Sequence, residues 1–239
     1  MDKVAQLAGV SPQTVSRVIG RPHLVAEKTR HKVQMVIDQV NYTPNEAARN
    51  LASNNSRMVA VIIPTLASSA YSAQVTNIMS LLNKRGISVL IGNSEYSMDR
   101  EEQLLQSLFE RRPQGFILTG LEHSKRAIEL LERSGVPVVE TWDTDSKPID
   151  LCVGFSNVEA GADVGRLMAA RKARHIAFVG GKPDQDYRAE RRFRGLAQAI
   201  TAAGLDQPIR IELDMPMKTM DGIVGLDRVL ESAPMTDAI

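Results

Sequence analysis

Gln13, Ser16 and Arg17 are the side chains whose types and spacing most directly suggest chemistry. Three and four residues apart, they share one face of a helix that contains them. A glutamine amide pairs bidentately with adenine and an arginine guanidinium with guanine, so this face suits base edges in a major groove. Val15, Val18 and Ile19 fall at i, i+3 and i+4 and predict a buried face on the same helix. A second concentration of reactive groups lies in Asp184–Gly195, which holds Arg188, Arg191, Arg192 and Arg194. A planar guanidinium fork can take a carboxylate or a pair of hydroxyls.

The elements that must position the first group are legible around it. Gly9 sits where a first helix has to stop, and Ser11 offers an oxygen to the free amides of the next. Pro12 then takes the first helical position, where no donor is needed. Val33, Val36, Ile37 and Val40 keep a helical apolar stripe for a third helix. Ala26 stands where a Ser or Thr would cap that helix. Residues 1–57 carry eight basic and four acidic side chains, a charge of +4, against −3 for the remainder. A basic head suits phosphate contacts that weaken steeply with salt.

Beyond Arg57 the pattern alternates. Apolar strands are predicted at 58–63, 87–91, 115–118, 136–139, 151–154, 176–180 and 209–213. Helices are predicted at 71–85, 99–111, 124–134, 157–170, 187–203 and 219–232. Short apolar strands alternating with helices imply doubly wound parallel sheets, with ligands beyond the carboxyl ends of the strands. The fold class is thus α/β with doubly wound parallel sheets, behind an all-α helix-turn-helix head. The final stretch, Pro234–Ile239, reads as the entrance to a strand, so the last sheet is expected to be incomplete.

Several functions are poorly served by this sequence. Gly180-Gly-Lys-Pro follows a strand but lacks the spacing and Lys-Ser/Thr ending of a nucleotide loop. The four histidines are scattered, with no pair at zinc-ligand spacing, so no metal or cofactor is expected. There is no Gly-x-Ser-x-Gly nucleophile turn. Glu122-His123 offers an acid/base pair at a strand end but reads as a ligand or solvent contact. Cys152 has no partner and reads as an inert strand residue in a reducing compartment. No run long enough to span a membrane and no secretory stretch occurs, which predicts a cytoplasmic protein.

The opening motif, together with Asn41–Ser53, resembles the LacI/GalR family of bacterial transcriptional repressors. The resemblance implies that Pro12, Gln13 and Arg17 occupy base-reading positions. Ala48 and Leu51 match hinge positions, with Leu51 as a leucine wedged between central base pairs. A helix over 45–53 is too short to be stable alone in water, consistent with folding on DNA. The implied limits are a head at 1–44, a hinge at 45–56 and a periplasmic-binding-protein-like sensor at 57–239, of two parallel-sheet subdomains with the second incomplete. The implied partners are pseudo-palindromic operator DNA, a second copy of the chain and a sugar-derived effector. Ser68, Tyr71, Glu140, Phe155 and Arg192 are the candidate effector contacts. Arg192 matches the family's arginine three residues before a glycine, while Arg188, Arg191 and Arg194 read as a solvated helix face. Val138–Asp143 and Ile149–Asn157 resemble the gluconate-operon branch, which implies an aldonic acid such as gluconate, or its 6-phosphate, with Arg192 as counter-charge; a neutral sugar uses the same arginine for its hydroxyls. Two alternatives stand beside this reading: a truncated fragment that represses nothing, and an α/β enzyme with a helical extension.

Overall fold

The structure, a computed structural model, describes residues 1–42, 56–215, 217–218 and 220–239. It divides into two units, Met1–Ser56 and Arg57–Ile239. The expected hinge residues Ala48 and Leu51 lie outside the described residues.

The first unit contains α1 (Asp2–Ala8), α2 (Pro12–Gly20), a 3-10 turn at Pro22–Leu24 and α3 (Glu27–Gln39). Gly9 ends α1 at φ 58°, a left-handed conformation that costs other residues energy. Ser11 caps α2 by accepting a hydrogen bond from the Thr14 amide at 3.1 Å, and Pro12 follows at the first position. Ala26 provides no side-chain cap for α3. Val4, Ala5, Ala8, Val15, Val18 and Val33 form the small core, flanked by Ile19, Val36, Ile37 and Val40. Each fully buried valine contributes on the order of 2 kcal/mol, and so few of them make a small core sensitive to any loss.

The second unit begins with β1 (Met58–Ile63), α4 (Ser69–Asn83), β2 (Ser88–Asn93), α5 (Met98–Phe109) and β3 (Phe116–Thr119). It continues through α6 (Lys125–Ser134), β4 (Val138–Thr141), β5 (Leu151–Val153) and α7 (Asn157–Ala170). The last elements are β6 (Ala177–Gly181), α8 (Tyr187–Ala202), β7 (Ile209–Leu213) and α9 (Asp221–Ser232). Five strands pair in parallel in the order β2-β1-β3-β4-β5, and β6 pairs in parallel with β7.

Period-two alternation along β1 explains why the first sheet is covered on both faces. Ala60 and Ile62 pack with Leu105 of α5 and with Ala127 and Leu131 of α6, whereas Val61 and Ile63 pack with Val75 of α4. The chain leaves β1 toward β2 on one side and reaches β3 on the other. The carboxyl ends of β1 and β3 therefore flank a topological switch point.

The structure moves some expected boundaries. β4 begins at Val138 rather than Val136, because Pro137 has no N–H to give the ladder. β5 lies at the sheet edge with Leu151 and Val153 exposed, where a strand buried on both faces was expected. The terminal stretch makes one parallel bridge, Ile176 with Ala238, beside β6. α7 and α8 approach so closely that a Cβ on Gly161 would stand 1.9 Å from the Arg192 carbonyl oxygen. A Cβ on Gly195 would stand 1.9 Å from the Val158 carbonyl oxygen, so both positions exclude side chains.

Candidate functional site

In the first unit, Val15 and Val18 anchor one face of α2 in the core, and the opposite side is left to solvent. Pro12, Gln13, Ser16 and Arg17 are all exposed there. Ser11 spends its hydroxyl on the Thr14 amide and side chain, so α2 is fixed from its first turn. A short rigid helix with free amide and guanidinium groups on its outer face is the geometry that a groove-reading element needs.

In the second unit, a cavity of about 540 Å³ opens at the switch point. Pro64, Ser94 and Thr119, from the ends of β1, β2 and β3, line one side. Asp184, Asp186, Tyr187 and Arg188, from the loop after β6 and the start of α8, line the other. Arg188 is only 5% exposed. Its guanidinium carbon lies 5.9 Å from the Tyr71 ring centre and 5.7 Å from that of Tyr187. Its Nη1 is buried without a hydrogen-bond partner, and its Nε stands 3.9 Å from Asp186 Oδ1.

The neighbouring arginines have other engagements. Arg191 pairs with Asp143, with Glu122 at 2.9 Å and with the Ser146 hydroxyl at 2.7 Å, so it ties α8 to the strand ends of the first sheet. Arg192 donates to Asn157 Oδ1 at 2.7 Å and lies 3.9 Å from Asp186, with 38% of its side chain exposed. Arg194 is exposed. The expected solvated face is thus corrected for Arg188 and Arg191, which are turned into the unit.

Tyr71 packs edge-on against Trp142 at 5.2 Å, and Trp142 against Phe155 at 6.3 Å, so the three rings run as one aromatic row. Trp142 donates to Gln74 at 2.8 Å. Burial pushes the Tyr187 hydroxyl up to about 12 and raises that of Tyr96 further, so both phenols keep their protons. Tyr187 accepts from the Leu121 amide at 2.6 Å, which leaves its own O–H free to donate. Gly120 permits this approach: its φ is 95°, and a Cβ there would lie 2.2 Å from the Tyr187 oxygen. Tyr96 and Trp142 themselves hold positive φ values of 59° and 69° at strand ends, a strain of about 1–3 kcal/mol each.

None of the five expected effector contacts, Ser68, Tyr71, Glu140, Phe155 and Arg192, is among the residues that line this cavity. Glu140 is fully buried, with one oxygen 3.2 Å from His123 Nε2 and the other accepting from the Ile149 amide at 2.6 Å. It belongs to a triad completed by Glu101, which stands 2.5 Å from His123 Nδ1 and itself lines the cavity. Ser68 is the residue before α4 and does not line the cavity. Glu122-His123 is likewise no acid/base pair, since Glu122 binds Arg191 and His123 is sealed in the triad. Burial would lower the His123 pKa, but hydrogen bonds and charge from Glu101 and Glu140 prevail and push it to about 9.

Arg188, expected on a solvated face, and Tyr96, Tyr187 and Asn157, for which no role was expected, belong to these surroundings. A signal for the first was present: Arg188, Arg191, Arg192 and Gly195 fall at i, i+3, i+4 and i+7, a buried-face spacing occupied by cations. Among the described residues, no group of three or more His, Cys, Asp or Glu is placed to hold a metal. No described helix is long and apolar enough to cross a membrane.

Comparison with known proteins agrees with this architecture. Residues 1–45 match the family of bacterial regulatory proteins, lacI family. Residues 56–238 match the periplasmic binding proteins and sugar binding domain of LacI family. The chain is 36% identical to the HTH-type transcriptional regulator GntR of Pseudomonas aeruginosa, aligning over 100% of this chain and 69% of that protein. It is 30% identical to the GntR regulator of Escherichia coli K12, over 100% of this chain and 71% of the other. A crystal structure of a LacI-family regulator from Silicibacter pomeroyi superposes with a TM-score of 0.87 at 35% identity, covering 98% and 70% of the two chains. The lac repressor dimer bound to operator and an anti-inducer gives 0.80 at 28% identity, covering 95% and 68%. With a DNA-reading head, a sensor fold and relatives that regulate transcription rather than catalyse reactions, this chain belongs to the LacI family of bacterial transcription regulators, and resembles its GntR-type members.

Proposed function

We propose that the chain acts in the cytoplasm as a repressor of a sugar-acid utilisation operon, binding a pseudo-palindromic operator as a homodimer. The observation that carries the reading is the α2 face, where Gln13, Ser16 and Arg17 stand free above a locked apolar side. A head over 1–44, a hinge over 45–56 with Leu51 as its wedge, and a sensor over 57–239 complete the scheme. Tyr71, Phe155 and Arg192 contact the effector, an aldonic acid such as gluconate. Similarity to GntR-type regulators supports that choice. Effector binding favours one of two sensor conformations and so changes the spacing of the paired hinges, a coupling carried by differential affinity.

Selection of bound duplexes from a randomised pool tests the DNA half. An inverted repeat is expected, because a two-fold dimer presents two copies of α2. Enrichment of a single unrepeated site, or of nothing, contradicts the proposal.

A further inference from the structure

We propose that Arg188 reads the acidic group of the effector, and that the cavity beside it selects a polyhydroxylated monocarboxylate over neutral and phosphorylated sugars. This inference rests on the sugar-sensing reading of the cleft. Arg188 is buried to 5% exposure with Nη1 unpartnered, although it lines an open cavity. A buried donor left unfilled is costly, and a carboxylate oxygen fills it with a charge-assisted hydrogen bond.

The groups around it leave that donor vacant for a ligand. The nearest carboxylate, Asp186, spends Oδ1 on the Ala189 amide at 3.1 Å. Arg191 is already satisfied by Asp143, Glu122 and Ser146, whereas Arg192 spends Nη1 on Asn157 and stays 38% exposed. The Tyr187 hydroxyl, with its proton free to donate, adds a second donor on the same wall. Tyr71 and Tyr187 both lie within cation–π distance of the Arg188 guanidinium.

The remaining wall sets the charge limit. Asp99 and Asp184 line the same cavity and are exposed. Carboxylates accept hydrogen bonds from sugar hydroxyls, but they oppose any negative charge beyond the one that Arg188 neutralises. A phosphorylated acid brings two further charges to that wall. A neutral sugar leaves Nη1 without a charged partner.

Isothermal titration calorimetry on the full chain tests this with sodium gluconate, 6-phosphogluconate and glucose. Gluconate is expected to bind at least about tenfold more tightly than the other two. Arg188→Gln should lose about 30-fold or more for gluconate and change glucose binding by less than about threefold. Arg192→Gln should weaken gluconate and glucose alike. If Arg188→Gln does not melt cooperatively, Arg188→Lys takes its place, with a loss of about tenfold confined to the acid. Gluconate affinity unchanged in a folded Arg188 variant overturns the assignment while leaving the sensor reading intact. Equal or tighter binding of 6-phosphogluconate or glucose by the parent chain overturns the selectivity. Binding of none of the three overturns the sugar-sensing reading itself.

Discussion

At the scale of single residues, charge and burial decide what each side chain can do. Arg17 is free to meet a base, so Arg17→Ala should relax sequence preference at one base pair at a cost of about 1–3 kcal/mol. Binding measured against single-base operator variants checks this. A loss equal across all sequences would make Arg17 a phosphate contact instead. His123 makes a different statement, because it contributes stability through its proton. Its pKa is about 9 in the folded chain against 6.5 for a free histidine, so it stabilises fully below 6.5. That contribution, at most about 3 kcal/mol, is lost as pH rises through 9. Urea melts between pH 6.5 and 9.5 should show a decline that His123→Gln abolishes. A parallel decline in the variant would place its origin in other groups.

At the scale of elements, the sequence showed where helices and strands lie better than which of their faces are buried. Gly9, Ser11 and Pro12 mark the α1–α2 turn because each has a local reason to be there. The alternation from Met58 to Ser232 gave the strand and helix order, with shifts such as the one that Pro137 imposes. What the pattern hid was tertiary. Arginines on α8 look solvated when only neighbours in sequence are weighed, yet Arg191 finds acceptors 45 to 69 residues away in the loops beyond the strands of the first sheet. Gly195 was read as a marker of an effector arginine, whereas its lack of a side chain is what lets α8 touch α7. Gly195→Ala should therefore destabilise the second unit by about 2 kcal/mol or more, through overpacking against the Val158 carbonyl. An unchanged melting temperature would mean that the helices separate without cost. The uncapped start of α3 points the other way: Ala26→Ser should raise protection of the α3 amides by about 1 kcal/mol in hydrogen exchange. No gain in protection would show that another group already satisfies those donors.

At the scale of the whole molecule, binding energy is what would couple a basic head to a mildly acidic second unit. The charge division legible in the sequence, +4 over residues 1–57 and −3 beyond, sets the salt sensitivity expected of DNA binding. The cavity at the switch point was legible only as a set of strand-end loops. Its exact walls depend on how α8 meets the first sheet, which no local pattern encodes. The most direct measurement is fluorescence anisotropy of the full chain with a labelled inverted-repeat operator and a scrambled duplex, at two salt concentrations, with and without gluconate. Tight operator binding that weakens steeply with salt is expected, with much weaker binding to the scrambled duplex and a shift in operator affinity on adding gluconate. Equal affinity for both duplexes, unaltered by gluconate, would contradict the proposed function.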